Sequence, residues 1–125
     1  VSFSDAWREE TIRNDMKGGH SCYFIAKLAK KVIGYGCFWF IADEAQLMNI
    51  GVLPEYRRMG AAEKILKQGL EEAAERHMEV IFLEVRVSNL PAQSLYRKYN
   101  FQTVSVRQDV YELPRENGYI MSRKV

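Results

Sequence analysis

The sequence predicts one mixed α/β domain built on a largely antiparallel sheet, and three features of it carry that prediction. Strand-like apolar segments follow each other closely from Ser21 to Val52, a helical period takes over across residues 61–77, and a strand-like run returns across residues 80–87. Strand, loop, helix and strand in that order make a crossover unit, which sets its two strands parallel with a right-handed connection. The segments on either side are close enough to pair as antiparallel hairpins.

Taken in order, Ser4 and Asp5 are candidate caps for a polar first helix over about residues 6–16, ended by the Gly18-Gly19 pair. Residues 21–28 and 32–41 flank the turn-like Ala29-Lys30-Lys31 and read as a hairpin. Residues 45–52 resume as a third strand, stopped by Pro54, which has no N–H to give a ladder. Over residues 61–77 an apolar face of Ala62, Ile65, Leu66, Gly69, Leu70, Ala73 and Ala74 opposes a mostly charged one, the mark of an amphipathic helix. Ile81, Leu83, Val85 and Val87 then alternate with Phe82, Glu84 and Arg86, the period of a strand. A short helix over residues 92–99 and strands over 101–106 and 119–122 complete the reading.

A chain of 125 residues with 47% apolar and 27% charged content can bury a core, and it is neither disordered nor fibrous in composition. Eighteen basic residues against sixteen acidic ones, spread along the chain, announce no nucleic-acid or membrane surface. No apolar run approaches bilayer length, and no secretory leader is visible, so the expected compartment is the cytoplasm. Cys22 and Cys37 lie in apolar strands without the spacing of a zinc or redox pair, and are expected to be buried thiols. His20 and His77 do not suggest ligands, so no metal is expected.

The most informative segment joins the third strand to the long helix: Val52-Leu53-Pro54-Glu55-Tyr56-Arg57-Arg58-Met59-Gly60-Ala61-Ala62. A helix N-terminus carries unpaired N–H groups and the positive end of the peptide dipoles, so it can hold a phosphate wherever the backbone can be approached. Gly60 allows that approach, Ala61 and Ala62 leave the first turn unobstructed, and Arg57 and Arg58 add charge beside it. One glycine is too few for the dinucleotide fingerprint, and no Gly-Lys-Ser/Thr is present for a nucleoside triphosphate loop. Taken alone, the pattern also fits solvated arginines before an ordinary helix.

Taken with the rest of the chain, Arg57-Arg58-Met59-Gly60-Ala61-Ala62 resembles the Q/R-x-x-G-x-G/A signature of the GNAT acetyltransferase superfamily. Leu83-Glu84-Val85-Arg86-Val87-Ser88-Asn89, followed by Ala92, Leu95-Tyr96 and Phe101, is similar to a block of the RimI-type ribosomal-protein-alanine N-acetyltransferases in that superfamily. Asn49-Ile50-Gly51-Val52 and the segment from Pro114 to Met121 also resemble that subgroup. The resemblance implies a GNAT-like fold, here without the family's first strand and helix. This leaves open whether residues precede Val1 or a partner covers the sheet edge. It implies acetyl-CoA as co-substrate, the N-terminal amine of a ribosomal protein as acceptor, and direct transfer within a ternary complex.

The same resemblance assigns residues. Ile50, Gly51 and Val52 would hold the pantetheine arm and thioester; Arg57, Arg58, Met59, Gly60, Ala61, Ala62 and Glu63 would hold the pyrophosphate, with Asn89 a further cofactor contact. Glu84 would be the general base and Tyr96 the donor to the departing sulfur, with Tyr111 and Arg107 beside the peptide groove. From the residues alone, Glu84 could instead pair with Arg86 or face water, Tyr96 could be a core aromatic, Asn89 a helix cap and Gly51 a bulge or a site of close backbone approach. Asn100 stands where the family has glycine, and Val110 replaces the first tyrosine of a pair, which leaves peptide specificity open. Rival readings are an acetyltransferase for a small amine or lysine side chain, and a catalytically silent acyl-CoA-binding module.

Overall fold

Along residues 21–28 every second side chain is apolar, and the strand forms as that alternation dictates: Cys22, Phe24, Ala26 and Leu28 are buried on one face. The computed structural model describes residues 9–15, 19–57 and 59–125. Among them run β1 (Glu9–Asp15), β2 (Ser21–Leu28), β3 (Lys31–Ile41), β4 (Glu44–Val52), α1 (Ala61–Glu75), β5 (Val80–Arg86), α2 (Leu90–Lys98), β6 (Gln102–Glu112) and β7 (Arg115–Lys124). The strands make one sheet in the order β1-β2-β3-β4-β5-β7-β6, in which only β4 and β5 pair in parallel. The crossover through α1 is the reason for that one parallel pair.

The β2–β3 hairpin closes on Ala29 and Lys30, both with positive φ (50° and 70°), the conformation whose twist matches its flanking strands. Residues 9–15, expected as part of a polar helix, instead form an edge strand antiparallel to β2, from Glu9 opposite Leu28 to Asp15 opposite Cys22. β2 offers a full row of backbone groups on that side, and pairing them outweighs the weak local preference of a polar segment. The candidate caps Ser4 and Asp5 lie outside the described residues. β6 and β7 both run further than their apolar pattern indicates, because β6 is exposed over most of its length and its extension is a matter of ladder pairing.

α1 lies across β2, β3 and β4 with Ala61, Ile65, Leu66, Gly69 and Ala73 against the sheet. Glu72, expected on the polar face, is buried because Arg76 donates to its carboxylate at 2.7 Å and itself lies 4.1 Å over the Phe40 ring. Two glycines set how closely helix and sheet meet. A methyl on Gly36 of β3 would fall 2.3 Å from Ile65 Cγ2, and one on Gly69 of α1 would fall 2.1 Å from two atoms of the Phe38 ring. α2 begins with Pro91 in its first turn and is capped by Asn89, whose Oδ1 accepts from the Ala92 N–H at 3.2 Å; Asn100 follows in the left-handed region at φ 70°. Cys22 and Cys37 are buried, unbridged thiols.

Gly69→Ala sets two effects against each other. Alanine in a helix interior gains about 1 kcal/mol over glycine, but Phe38 is wholly buried and has nowhere to move, so overpacking of about 1–3 kcal/mol wins. Urea denaturation should show net destabilisation, and Gly69→Ala combined with Phe38→Leu should recover part of it.

Candidate functional site

β4 and β5 pair only from Glu44 opposite Val80 to Leu47 opposite Leu83, although both strands continue. The parting has a local cause. Between Cys37 opposite Asn49 and Phe38 opposite Leu47, β4 carries one more residue than β3, so Met48 is bulged. A bulge bends and twists its strand, and here it turns Asn49–Val52 away from β5. Alternate backbone N–H and C=O groups of that stretch are left facing the opening. The opening is occupied by two contiguous clefts of about 410 and 350 Å³ that share Leu47, Met48, Leu83, Glu84 and Tyr111.

Period-two alternation on β5 buries Leu83 and Val85 in the core and sends Glu84 to the opposite face, into both clefts. Its carboxylate accepts from Arg107 Nη1 of β6 at 3.1 Å and is about a quarter exposed. Tyr96 of α2 lines the second cleft with Ile50 and Asn89, and its ring packs edge-on against Phe101 at 5.8 Å between centroids. Burial, with a smaller contribution from Tyr111, pushes its phenol up to about 12. Burial first, and then the Glu84 carboxylate, also raise Tyr111 above the usual tyrosine range.

Beyond the parted end of β4, the chain enters α1 through Gly60, which takes φ 84° in the left-handed region. The first backbone bond into the helix is Lys64 N–H to Gly60 C=O at 3.0 Å, and no side chain caps the turn. The N–H groups of Ala61, Ala62 and Glu63 therefore lack intrahelical acceptors. Nothing lies within 4 Å of the place a Cβ on Gly60 would take, so the opening turn is clear among the described residues. Arg57 and Met59 are exposed beside it; Arg58 lies outside the described residues. The Glu63 carboxylate is committed to α2: one oxygen accepts from Lys98 Nζ at 2.8 Å and from Tyr99 Oη at 2.6 Å, which holds it below the usual carboxylate range.

Glu84, Tyr96, Ile50, Asn89, Arg107 and Tyr111 thus converge on the opening between β4 and β5, and the Arg57–Glu63 segment forms the helix entry beyond it. Glu84 pairs with Arg107 rather than Arg86. Arg86 instead reaches the turn between β6 and β7, through Glu116 at 3.1 Å and the Pro114 carbonyl at 3.0 Å. The close approach expected at Gly51 comes from the Tyr35 ring, 2.8 Å from a would-be Cβ, while the bulge falls at Met48. Sequence reasoning passed over Gln46, Phe82 and Ile120 of the cleft wall; Gln46 and Phe82 were findable, because they face each other in the β4–β5 ladder and Phe82 shares the face of Glu84. Among the described residues no cluster of His, Cys, Asp or Glu could hold a metal, and no helix is long and apolar enough to cross a membrane.

The arrangement offers an open helix N-terminus, a parted strand pair leading away from it, and a carboxylate and a phenol in that gap. This fits a phosphate-bearing ligand with an extended arm. Comparison with known proteins agrees. Residues 1–101 match the sequence pattern of the acetyltransferase (GNAT) family. The ribosomal protein bS18-alanine N-acetyltransferase of Escherichia coli (strain K12) is 30% identical over 118 residues, covering 93% of this chain and 79% of that protein. An N-alpha-acetyltransferase of Saccharolobus solfataricus is 36% identical over 114 residues, covering 81% of this chain and 68% of that one. The crystal structure of the Escherichia coli ribosomal-protein-S18-alanine N-acetyltransferase superposes with a TM-score of 0.81 at 30% identity, over 87% of this chain and 72% of that chain.

A lowered carboxyl pKa stabilises the fold above the unfolded value of about 4.3, and that contribution fades as pH falls through the folded value. Wild type should therefore exceed Glu63→Gln in urea midpoint near neutral pH, and the gap should close as pH falls below the unfolded value of about 4.3 and on through the lower folded one. A gap independent of pH would show that Lys98 and Tyr99 do not bind a charged Glu63.

Proposed function

The chain belongs to the acetyltransferase (GNAT) family and is an acetyl-CoA-dependent N-acetyltransferase, and from that premise we propose that it acetylates the α-amine of a protein N-terminus. The names of its relatives make the N-terminal alanine of a small-subunit ribosomal protein the first acceptor to test. Residues 1–125 would act as one domain. The observation that carries the reading is that Glu84 and Tyr96 line one cleft where β4 and β5 part, while the chain beyond β4 enters α1 through an uncapped turn.

In this reading the N–H groups of Ala61, Ala62 and Glu63, with Arg57 and Arg58 alongside, hold the pyrophosphate of acetyl-CoA, and the free edge of Ile50, Gly51 and Val52 aligns the pantetheine arm. Acetyl-CoA supplies an activated acyl group as a thioester. An α-amine has a pKa of about 8 and arrives largely as ammonium, which the Glu84 carboxylate attracts in competition with Arg107. The ammonium first gives one proton to solvent, and the free amine attacks; its nitrogen becomes acidic as it bonds to the acyl carbon, so a carboxylate, although a weaker base than an amine, takes the second proton at Glu84. Backbone N–H groups on the parted edge of β4 stabilise the charge developing on the acyl oxygen.

Tyr96 stays protonated because its phenol sits near 12. A thiolate with a pKa of about 8.5 cannot take that proton outright, so the Tyr96 O–H serves the departing sulfur as a hydrogen-bond donor. The proton that Glu84 takes from nitrogen passes on to the departing sulfur, so coenzyme A is released as thiol and Glu84 returns to its carboxylate.

Mass spectrometry of a peptide beginning with alanine, incubated with acetyl-CoA and enzyme, should find one acetyl group on the α-amine, with polyamines and internal lysines turned over far more slowly. Glu84→Gln should lower kcat/KM by about 10²–10⁴-fold, and Tyr96→Phe should lower kcat with acetyl-CoA binding retained. For the wild type, kcat/KM should rise towards about pH 8 with the free amine and show no fall from Tyr96 ionisation at about pH 10. Preferred acetylation of lysine or a small amine would overturn the α-amine assignment, and unchanged turnover in both variants would overturn the roles of Glu84 and Tyr96.

A further inference from the structure

We infer that Arg86 is a positioning residue for the acceptor side of the cleft: it ties the β6–β7 hairpin to the end of β5 and so fixes the Tyr111 ring beside Glu84. The inference rests on the reading of the cleft as the site of acetyl transfer and adds to it a residue that need touch neither substrate.

The hairpin needs an external anchor. β6 shifts register against β7 between Thr103 and Ser105, pairs on to Arg107 opposite Gly118, and then loses the register again until Tyr111 opposite Glu116; within this second slip Asp109 has φ 51° and donates its N–H to Asn117 Oδ1 at 2.9 Å. A slipped ladder does not by itself set where Tyr111 points. The tip offers no apolar anchor, since Leu113 is 91% exposed. The fastenings come from β5 and the loop after it. Arg86 Nη1 donates to the Pro114 carbonyl at 3.0 Å and to Glu116 Oε2 at 3.1 Å, and Nη2 donates to the Leu113 carbonyl at 3.4 Å. Glu116 also accepts from the Ser88 N–H, and the Val87 N–H donates to the Asn117 carbonyl at 3.1 Å.

The same guanidinium lies 4.2 Å over the Tyr111 ring, so one planar group holds the turn and covers the aromatic at once. The ring also lies close to Gly118, where an added Cβ would meet Tyr111 Cε2 at 3.0 Å, Val110 Cγ1 at 2.9 Å and Glu84 Cγ at 3.2 Å. Tyr111 is therefore covered by Arg86 and closely packed at Gly118, where any added side chain would have to displace it, with Glu84 beside the same glycine. Arg86 stands two residues beyond Glu84 on the same strand face, so the clamp and the proposed base are fixed to one rigid element. Lysine cannot reproduce this, because a single ammonium has neither the fork that spans three acceptors nor the plane that stacks on a ring.

The test uses the full chain in three variants, Arg86→Gln, Arg86→Lys and Glu116→Gln, with amide hydrogen exchange and steady-state kinetics on the amine acceptor that the wild type prefers. Arg86→Gln should speed exchange over residues 109–117 while leaving α1 protected. It should also raise the KM of the amine acceptor roughly tenfold, in line with the cost of small misplacements in a cleft, with the KM of acetyl-CoA within about twofold of wild type. Arg86→Lys should recover little of either effect. Glu116→Gln should reproduce the hairpin exchange in milder form, and it decides the matter if Arg86→Gln does not fold. Unchanged exchange over 109–117, or faster exchange spread equally over α1 and the hairpin with both KM values raised together, would overturn the inference. Should the wild type prefer an amine other than an α-amine, the α-amine reading falls while the exchange and the KM split on that amine still judge the clamp.

Discussion

Everything at the site depends on β4 leaving β5 after four paired residues. A parallel pair ordinarily continues while both strands last, since each unpaired N–H or C=O taken from water carries a penalty of roughly 1–3 kcal/mol. Here both strands persist, and the extra residue at Met48 turns one of them aside. The exposed edge that results would be a liability elsewhere in a sheet. In this position it is bounded by the core beneath, by α2 on one side and by the β6–β7 hairpin on the other. A gap with polar edges and a charged wall is held open by backbone geometry, and no side chain has to act as a wedge.

The same crossover fixes the opening turn of α1. Gly36 and Gly69 bring helix and sheet into direct contact at Ile65 and Phe38, which removes the slack that larger side chains would leave. Glu63 then joins the first turn of α1 to the end of α2 through Lys98 and Tyr99. α2 carries Tyr96, so the turn proposed to hold the pyrophosphate and the phenol proposed to meet the sulfur are connected through a short polar bridge. A carboxylate here also has an electrostatic rationale, since it sits in the first turn, where the helix field favours negative charge.

Legibility in the sequence followed burial. β2 and β5 are legible because one face is buried and the alternation is intact, β3 and β4 because they are apolar runs bounded by turn residues although a bulge interrupts β4, and α1 because its apolar stripe has the helical period. Residues 9–15 were misread because an edge strand needs only a neighbour's backbone, and nothing in Glu9-Glu10-Thr11-Ile12-Arg13-Asn14-Asp15 advertises β2. β6 is exposed from Gln102 to Asp109, so its run past Val106 is likewise a matter of pairing with β7. At the site, Glu84, Tyr96 and Gly60 were named through a family pattern; from residue types alone, Glu84 was better read as an ion-paired surface charge. That bland reading is partly what the structure has, with Arg107 in place of Arg86 as the partner. The bulge at Met48 and the reach of Arg86 across to the far hairpin are long-range consequences of register, and no local spacing encodes them.

The charge distribution around the gap separates its two ends. At the α1 end the carboxylate nearest the unpaired N–H groups in sequence, Glu63, is engaged by Lys98 and Tyr99. At the other end Glu84 faces Arg107, while Arg86 is balanced by Glu116, whose carboxyl is held below its usual range chiefly by Ser88. A polyanionic co-substrate is thereby favoured at one end and a cationic amine at the other, with the buried, neutral Tyr96 between them. Among the described residues Arg107 is the cation paired with Glu84, and being exposed it is weakly held, so the proposed ammonium would displace it at modest cost. In the proposed reaction that exposed ion pair is the contact an ammonium has to displace at Glu84, and screening by solvent keeps the displacement within reach.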